Sequence, residues 1–131
     1  MRVLLDSDAL LALYVADDLH HQRAKKTLQN LLRKKGELFV TNLVLQQTVT
    51  VISYRLGQKQ ALDFLKRFNQ VDFQQVFVNK NLTAKSWHVF SKQTKKGTSF
   101  IDCTNMVVFK ELNMDKIFSF DRFYSRIGLK T

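Results

Sequence analysis

The sequence contains no proline, only four glycines and a single cysteine among its 131 residues. These scarcities predict short turns and no flexible linker or low-complexity tract. The lone Cys103 excludes an intrachain disulfide and is typical of a reducing compartment, so we expect a cytoplasmic protein. No apolar run has the length of a membrane span, and the apolar stretch near the N-terminus is interrupted by Asp6 and Asp8. We therefore expect no membrane partner.

What the chain does contain is apolar bulk and positive charge. Hydrophobic residues make up 45% and charged residues 24%, with eleven phenylalanines, which predicts a single folded domain over residues 1–131. The net charge is +10. Such an excess attracts polyanions, of which nucleic acid is the commonest, although an acidic protein partner also fits.

Apolar runs and helical periodicities alternate along the chain. Strands are predicted over residues 2–5, 38–40, 71–78 and 116–120, with the tail adding a short edge. Helices are predicted over residues 9–16, 20–33, 42–56, 58–68, 82–94 and 98–113. This alternation predicts the α/β class, with a central parallel sheet of four to five strands in a three-layer α/β/α fold.

Three aspartates occupy element junctions in this scheme. Asp6 follows the first strand, Asp121 follows the last, and Asp102 lies in the first turn of the helix opened by Thr98 and Ser99. Sites in open parallel sheets form outside the carboxyl ends of the strands, so this topology can bring the three together. Adjacent carboxylates repel unless a cation lies between them, and oxygen ligands favour Mg²⁺ or Mn²⁺.

Such an acidic site within a basic protein suits phosphodiester hydrolysis. The metal lowers the pKa of a bound water and offsets charge on the phosphoryl oxygens, while Lys and Arg hold the nucleic acid. Structural roles remain open for each acid. Asp6 can cap the first helix, Asp102 can complement a helix dipole, and Asp121 can be an ordinary loop residue.

Three segments resemble the PIN-domain family, in family-typical order and spacing. They are VLLDSDALLALYVADDLHHQRA, FVTNLVLQQTVTVI and GTSFIDCTNMVVFKELNMDKIFSFDRFYSRIGL. The first resembles the family's opening strand and its aspartate, the second the segment that carries a glutamate, and the third the C-terminal part with two further acids. Together they span residues 2–129.

The resemblance implies a metal-dependent endoribonuclease like the VapC-type toxins of type II toxin–antitoxin pairs. Asp6, Asp102 and Asp121 match the family's metal-binding and catalytic acids, and Ser99 matches its supporting Ser/Thr. Asp8 matches a position near the metal. The implied cofactor is Mg²⁺ or Mn²⁺, and the implied partners are an RNA substrate, a cognate antitoxin protein and a second copy in a homodimer.

One position departs from the family pattern. Gln47, with Gln46 as the fallback register, aligns with the family's glutamate. Its spacing from Val44 and Val51 predicts an inward helical face, where its amide would reach the site or bond to backbone. A glutamine carbonyl can ligate a hard cation but supplies no charge, so metal affinity should be weakened.

Two functions therefore remain. The leading one is the ribonuclease, and the alternative is a catalytically weak or silent PIN domain that binds RNA or protein. A receiver-like signalling domain is disfavoured because no aspartate follows the third predicted strand, which ends near Val78.

Overall fold

A computed structural model describes all 131 residues and contains one parallel four-stranded sheet. The strands lie side by side in the order β3-β2-β1-β4. They are β1 (Arg2–Leu5), β2 (Glu37–Thr41), β3 (Phe73–Val76) and β4 (Lys116–Phe118). All pairings are parallel, so every carboxyl end lies at the same edge of the sheet.

Seven helices connect and follow the strands. They are α1 (Ser7–Tyr14), α2 (His21–Arg33), α3 (Asn42–Leu56), α4 (Gln58–Phe68), α5 (Lys80–Ser91), α6 (Phe100–Glu111) and α7 (Arg122–Arg126). Gly57, with φ of +94°, allows α3 to turn directly into α4. None of these helices combines the length and the apolar character needed to cross a bilayer.

The two faces of the sheet are buried in two separate apolar clusters, as strand alternation requires. Val3 and Leu5 of β1 pack with α1 to α4, in a cluster that includes Ala24, Ile52 and Phe64. Leu4 faces the opposite side, among a second set of residues contributed mainly by α6, α7 and the neighbouring strands. The sheet is therefore the middle of three layers, which confirms the predicted α/β class and its α/β/α architecture.

The C-terminal tail differs from its prediction. Residues 122–126 form α7, and the expected edge strand is reduced to one bond, from the Ile117 N–H to the Lys130 carbonyl at 2.8 Å. The reason is local: Asp121 caps a short helix that buries Tyr124 completely, so the chain reaches the edge of β4 only afterwards. The sheet thus has four strands, the lower end of the predicted number.

We expect Leu4→Ala to lower the free energy of unfolding by about 2–5 kcal/mol, because Leu4 is wholly buried in the central strand and its truncation leaves a cavity. Urea denaturation measures the change. Leu19→Ala is the matched control, since Leu19 is 92% exposed, and it should shift stability by less than about 0.5 kcal/mol. Equal losses in the two variants would contradict this packing.

Candidate active site

Asp6 stands at the carboxyl end of β1, where the sheet gives way to α1. The register pairs Leu5 with Phe118, so the next residues, Asp6 and Ser119, are neighbours across β1 and β4. The carboxylate caps α1 by accepting the Ser7 N–H at 2.8 Å. It also accepts from Asn105 Nδ2 at 3.1 Å and from Ser119 Oγ at 3.2 Å. Asp6 is only 5% exposed.

Asp102 is held at the start of α6 by a reciprocal capping box with Ser99. The Asp102 N–H donates to Ser99 Oγ at 3.0 Å, and the Ser99 N–H donates to Asp102 Oδ2 at 3.1 Å. One carboxylate oxygen, Oδ1, remains outside the box and points to other partners. Ser99 therefore fixes the orientation of Asp102 through this pair of hydrogen bonds.

Two residues that the sequence did not single out join Asp6 to Asp102. The Tyr124 hydroxyl donates to Asp102 Oδ1 at 3.2 Å and accepts from Asn105 Nδ2 at 3.0 Å. The same Asn105 nitrogen donates to Asp6 Oδ1. Both residues are fully buried. Their positions offered a signal, because Asn105 lies three residues after Asp102 on α6, and Tyr124 three after Asp121.

Asp8 and Asp121 lie on the other side of Asp6, around Ser119. Ser119 Oγ is within 3.2 Å of both Asp8 oxygens, and the Phe120 N–H donates to Asp8 Oδ2 at 2.9 Å. Asp121 is exposed and caps α7 through a 2.9 Å bond from the Phe123 N–H. Hence Asp8 shares a hydroxyl with Asp6, whereas Asp121 sits at the outer rim.

The electrostatics of this group show four interacting carboxyls. Burial, and then the charges of Asp8 and Asp102, raise the pKa of Asp6 to about 7, against hydrogen bonds that lower it. Burial raises the pKa of Asp8, with a smaller contribution from the charge of Asp121. Burial and the charge of Asp6 raise the pKa of the Tyr124 hydroxyl, which therefore remains a hydrogen-bond donor.

No basic side chain neutralises the four carboxyls. The three ion pairs of the protein join Arg2 to Glu37, Arg67 to Asp63, and Lys85 to Glu111. In a chain of net charge +10, this lack of a cationic partner is the main physical feature of the site. Buried carboxylates normally have a charged partner or a metal ion, so an external cation would relieve them.

The donor set fits a hard divalent cation in its chemistry. It consists of carboxylate, hydroxyl and amide oxygens, and the carbonyl Oδ1 of Asn105 is a buried polar atom with no hydrogen-bond partner. No three Asp, Glu, His or Cys side chains form a ready cage, however. The carboxylate oxygens of Asp6, Asp102 and Asp121 accept hydrogen bonds from helix caps and neighbouring side chains, and a bound cation would replace some of these bonds.

The prediction for Gln47 was wrong in one respect, because the side chain is exposed rather than inward. The buried face of α3 consists of Val44, Thr48 and Ile52, spaced four residues apart. Gln47 lies beside this buried face, on the second turn of α3, which starts at the carboxyl end of β2. Gln46 is exposed as well. The amide therefore needs no buried partner.

Comparison with known proteins identifies the family. The model of the PIN domain matches residues 3–130. The chain is a PIN-domain protein. This PIN domain is 30% identical over 134 aligned residues to a VapC ribonuclease of Archaeoglobus fulgidus, across 100% of the chain and 82% of that protein. The resemblance inferred from the sequence is thus confirmed.

Solved structures agree with the fold. The crystal structure of Mycobacterium tuberculosis VapC20, a toxin that cleaves the sarcin–ricin loop, has a TM-score of 0.85 at 23% identity, with 97% of this chain and 95% of that chain covered. VapBC2 of Rickettsia felis, bound to a DNA fragment from its promoter, has a TM-score of 0.72 at 13% identity, covering 97% and 92%. The PIN domain shares the architecture of both.

The raised pKa of Asp6 predicts a stability that falls as the pH rises. The folded carboxyl keeps its proton to about pH 7, and an unfolded one only to its ordinary 3.8. The folded state therefore binds more protons in this window, and without divalent metal it loses up to about 4 kcal/mol between the two values. Asp6→Asn should reduce this dependence, leaving the part that comes from the raised pKa of Asp8, and should be the more stable protein above neutrality.

Urea unfolding in EDTA from about pH 4 to pH 8 measures this dependence. Asp72→Asn is the matched control, because Asp72 is exposed and lies outside the site, and it should retain the wild-type profile. If the free energy of unfolding changes with pH equally in wild type and Asp6→Asn, the raised pKa of Asp6 is contradicted.

Proposed function

We propose that this PIN domain is a divalent-metal-dependent endoribonuclease, the toxin half of a type II toxin–antitoxin pair. The observation that carries the proposal is the group of four interacting carboxyls with no protein cation, set in a protein of net charge +10. An acidic centre in a protein of strongly positive net charge suits the hydrolysis of a polyanion by a bound metal ion. The named VapC relatives support RNA as the substrate.

Asp6, Asp102 and Asp121 are the proposed metal ligands and catalytic acids, with Asp8 as a further nearby carboxylate. Bound Mg²⁺ or Mn²⁺ would lower the pKa of an attacking water and offset charge on the phosphoryl oxygens. Because the pKa of Asp6 is about 7 without metal, a proton competes for its oxygens. Activity should therefore rise with pH through neutrality.

The buried neighbours position these acids. Ser99 fixes one oxygen of Asp102, and Tyr124 fixes the other. Asn105 links Tyr124 to Asp6. Such outer contacts hold ligands in the geometry that a metal requires, and their loss costs about 10–100-fold in affinity or activity in known metal sites.

The remaining features of the proposal concern assembly and location. We infer a homodimer, a cognate antitoxin partner and a cytoplasmic location, in line with the lone cysteine and with the VapBC structure among the relatives. Large apolar side chains are exposed at Tyr54, Phe77 and Trp87, which provides surface that protein partners can cover.

We expect the purified protein to cleave single-stranded RNA with Mg²⁺ or Mn²⁺ and to lose cleavage in EDTA. Asp6→Asn and Asp102→Asn should each reduce the cleavage rate by about 100-fold or more. Tyr124→Phe should reduce it by about 10-fold, because this change removes only the hydrogen bond that orients Asp102. Tyr54→Phe is the matched control, because Tyr54 is 88% exposed. A gel assay with end-labelled RNA measures the rates, and full activity of Asp102→Asn would overturn the site.

Gln47→Glu separates an active enzyme from a silent PIN domain. The added carboxylate should tighten Mn²⁺ binding and raise the cleavage rate, with little change in stability because the position is exposed. Gln46→Glu is the control for register. If neither wild type nor Gln47→Glu cuts RNA with either metal, the binding-module alternative takes precedence.

A further inference from the structure

A group of aromatic and basic side chains lies directly beside the carboxyls. The rings of His20 and Phe120 are stacked, with centroids 4.2 Å apart and planes 7° from parallel. The guanidinium carbon of Arg23 lies 5.5 Å from the centroid of the Phe120 ring. Phe120 also donates its backbone N–H to Asp8. This stack of His20, Phe120 and Arg23 therefore adjoins the acidic centre.

The side chains of His20 and Arg23 make no hydrogen bond within the protein. The hydrogen bonds of His20 are made by its backbone, to Asp18 and Ala24, whereas the ring of its neighbour His21 is fixed by a 2.7 Å contact with the Ala12 carbonyl. Arg23 is exposed and forms no ion pair. The imidazole of His20, oriented by its stacking on Phe120, and the unpaired guanidinium of Arg23 are therefore available to a ligand.

The surroundings of the stack favour an anion. A cleft of about 260 Å³ opens between α2 and β4, lined by Arg23, Phe120, Thr27, Lys116, Ser119 and Thr131 among others, and no Asp or Glu side chain lines it. At the start of α2 the N–H groups of His20 and His21 already donate to Asp18, so only the later N–H groups of the first turn remain to add to the positive potential. Phosphate is the anion that such a mixture of donors and cations holds well.

We propose that the stack and this cleft form a subsite for the RNA strand next to the bond that is cut. Arg23 and Lys116 contact backbone phosphates, and the half-exposed His20 ring, supported by Phe120, stacks on a nucleobase. The inference rests on the proposed ribonuclease function and deepens it. By holding the neighbouring nucleotide, the subsite would determine which phosphodiester bond lies at the carboxyls and is cleaved.

Binding of a fluorescein-labelled single-stranded RNA oligonucleotide, measured by anisotropy in EDTA, tests the subsite without any cleavage. Arg23→Ala and His20→Ala should each weaken binding about tenfold, as expected for a charged contact or a base stack. Arg23→Ala should also reduce the slope of log affinity against log salt by about 0.7.

The matched controls are Arg33→Ala, at the opposite end of the same helix α2, and His88→Ala, an exposed histidine on α5. Both should bind within about twofold of wild type, and thermal melting checks that each variant folds. The subsite is overturned if the Arg23 and His20 variants match these controls. It is also overturned if poly-glutamate binds as tightly as RNA and is weakened equally, since that result assigns the surface to an acidic protein.

Failure of this inference can be told apart from failure of the proposed function. Cleavage with Mn²⁺ and unchanged RNA binding in Arg23→Ala would reject the subsite alone. RNA binding that depends on Arg23, in a protein that never cleaves, would reject the nuclease and retain the subsite.

Discussion

The burial of the Asp6 carboxyl among other acids is the constraint on which the rest of this site depends. A charge placed in a largely water-free position is unfavourable unless it has a counter-charge or strong hydrogen bonds. The protein supplies only neutral donors there: an N–H, an amide and a hydroxyl. This arrangement works against the stability of the folded chain at neutral pH, a cost commonly found at functional sites.

The parallel sheet is what makes this crowding possible. Because β1 and β4 are adjacent and in register, the residues following them meet at one edge. α6 then begins near that edge and presents the acid of its capping box. Three distant parts of the chain thus contribute carboxyls through backbone geometry alone, and the network of Asn105 and Tyr124 sets their final orientation.

Much of this was predictable from the sequence, and the limits have physical causes. The positions of Asp6 and Asp121 were predictable because residues that follow parallel strands lie at the same end of the sheet, and that of Asp102 because a helix start was readable at Thr98 and Ser99. The roles of Asn105 and Tyr124 were missed: their spacing of three residues from Asp102 and Asp121 marks them as neighbours of the acids, but the bridge between them depends on how α6 and α7 pack, which that spacing does not encode. Gln47 was wrongly placed on the buried face of α3, because the apolar spacing from Val44 to Val51 was taken for that face, whereas the residues that are buried are Val44, Thr48 and Ile52.

Tyr124 gives the C-terminal segment an unexpected importance. The residue belongs to a five-residue helix, and the segment is tied back by bonds from the Leu129 N–H to the Tyr124 carbonyl and from the Ile117 N–H to the Lys130 carbonyl. The same segment contributes the buried Tyr124 to the second apolar cluster. Proteolytic trimming after Phe120, or a bulky fusion at the tail, would therefore disturb the acidic centre together with the packing on that face of the sheet.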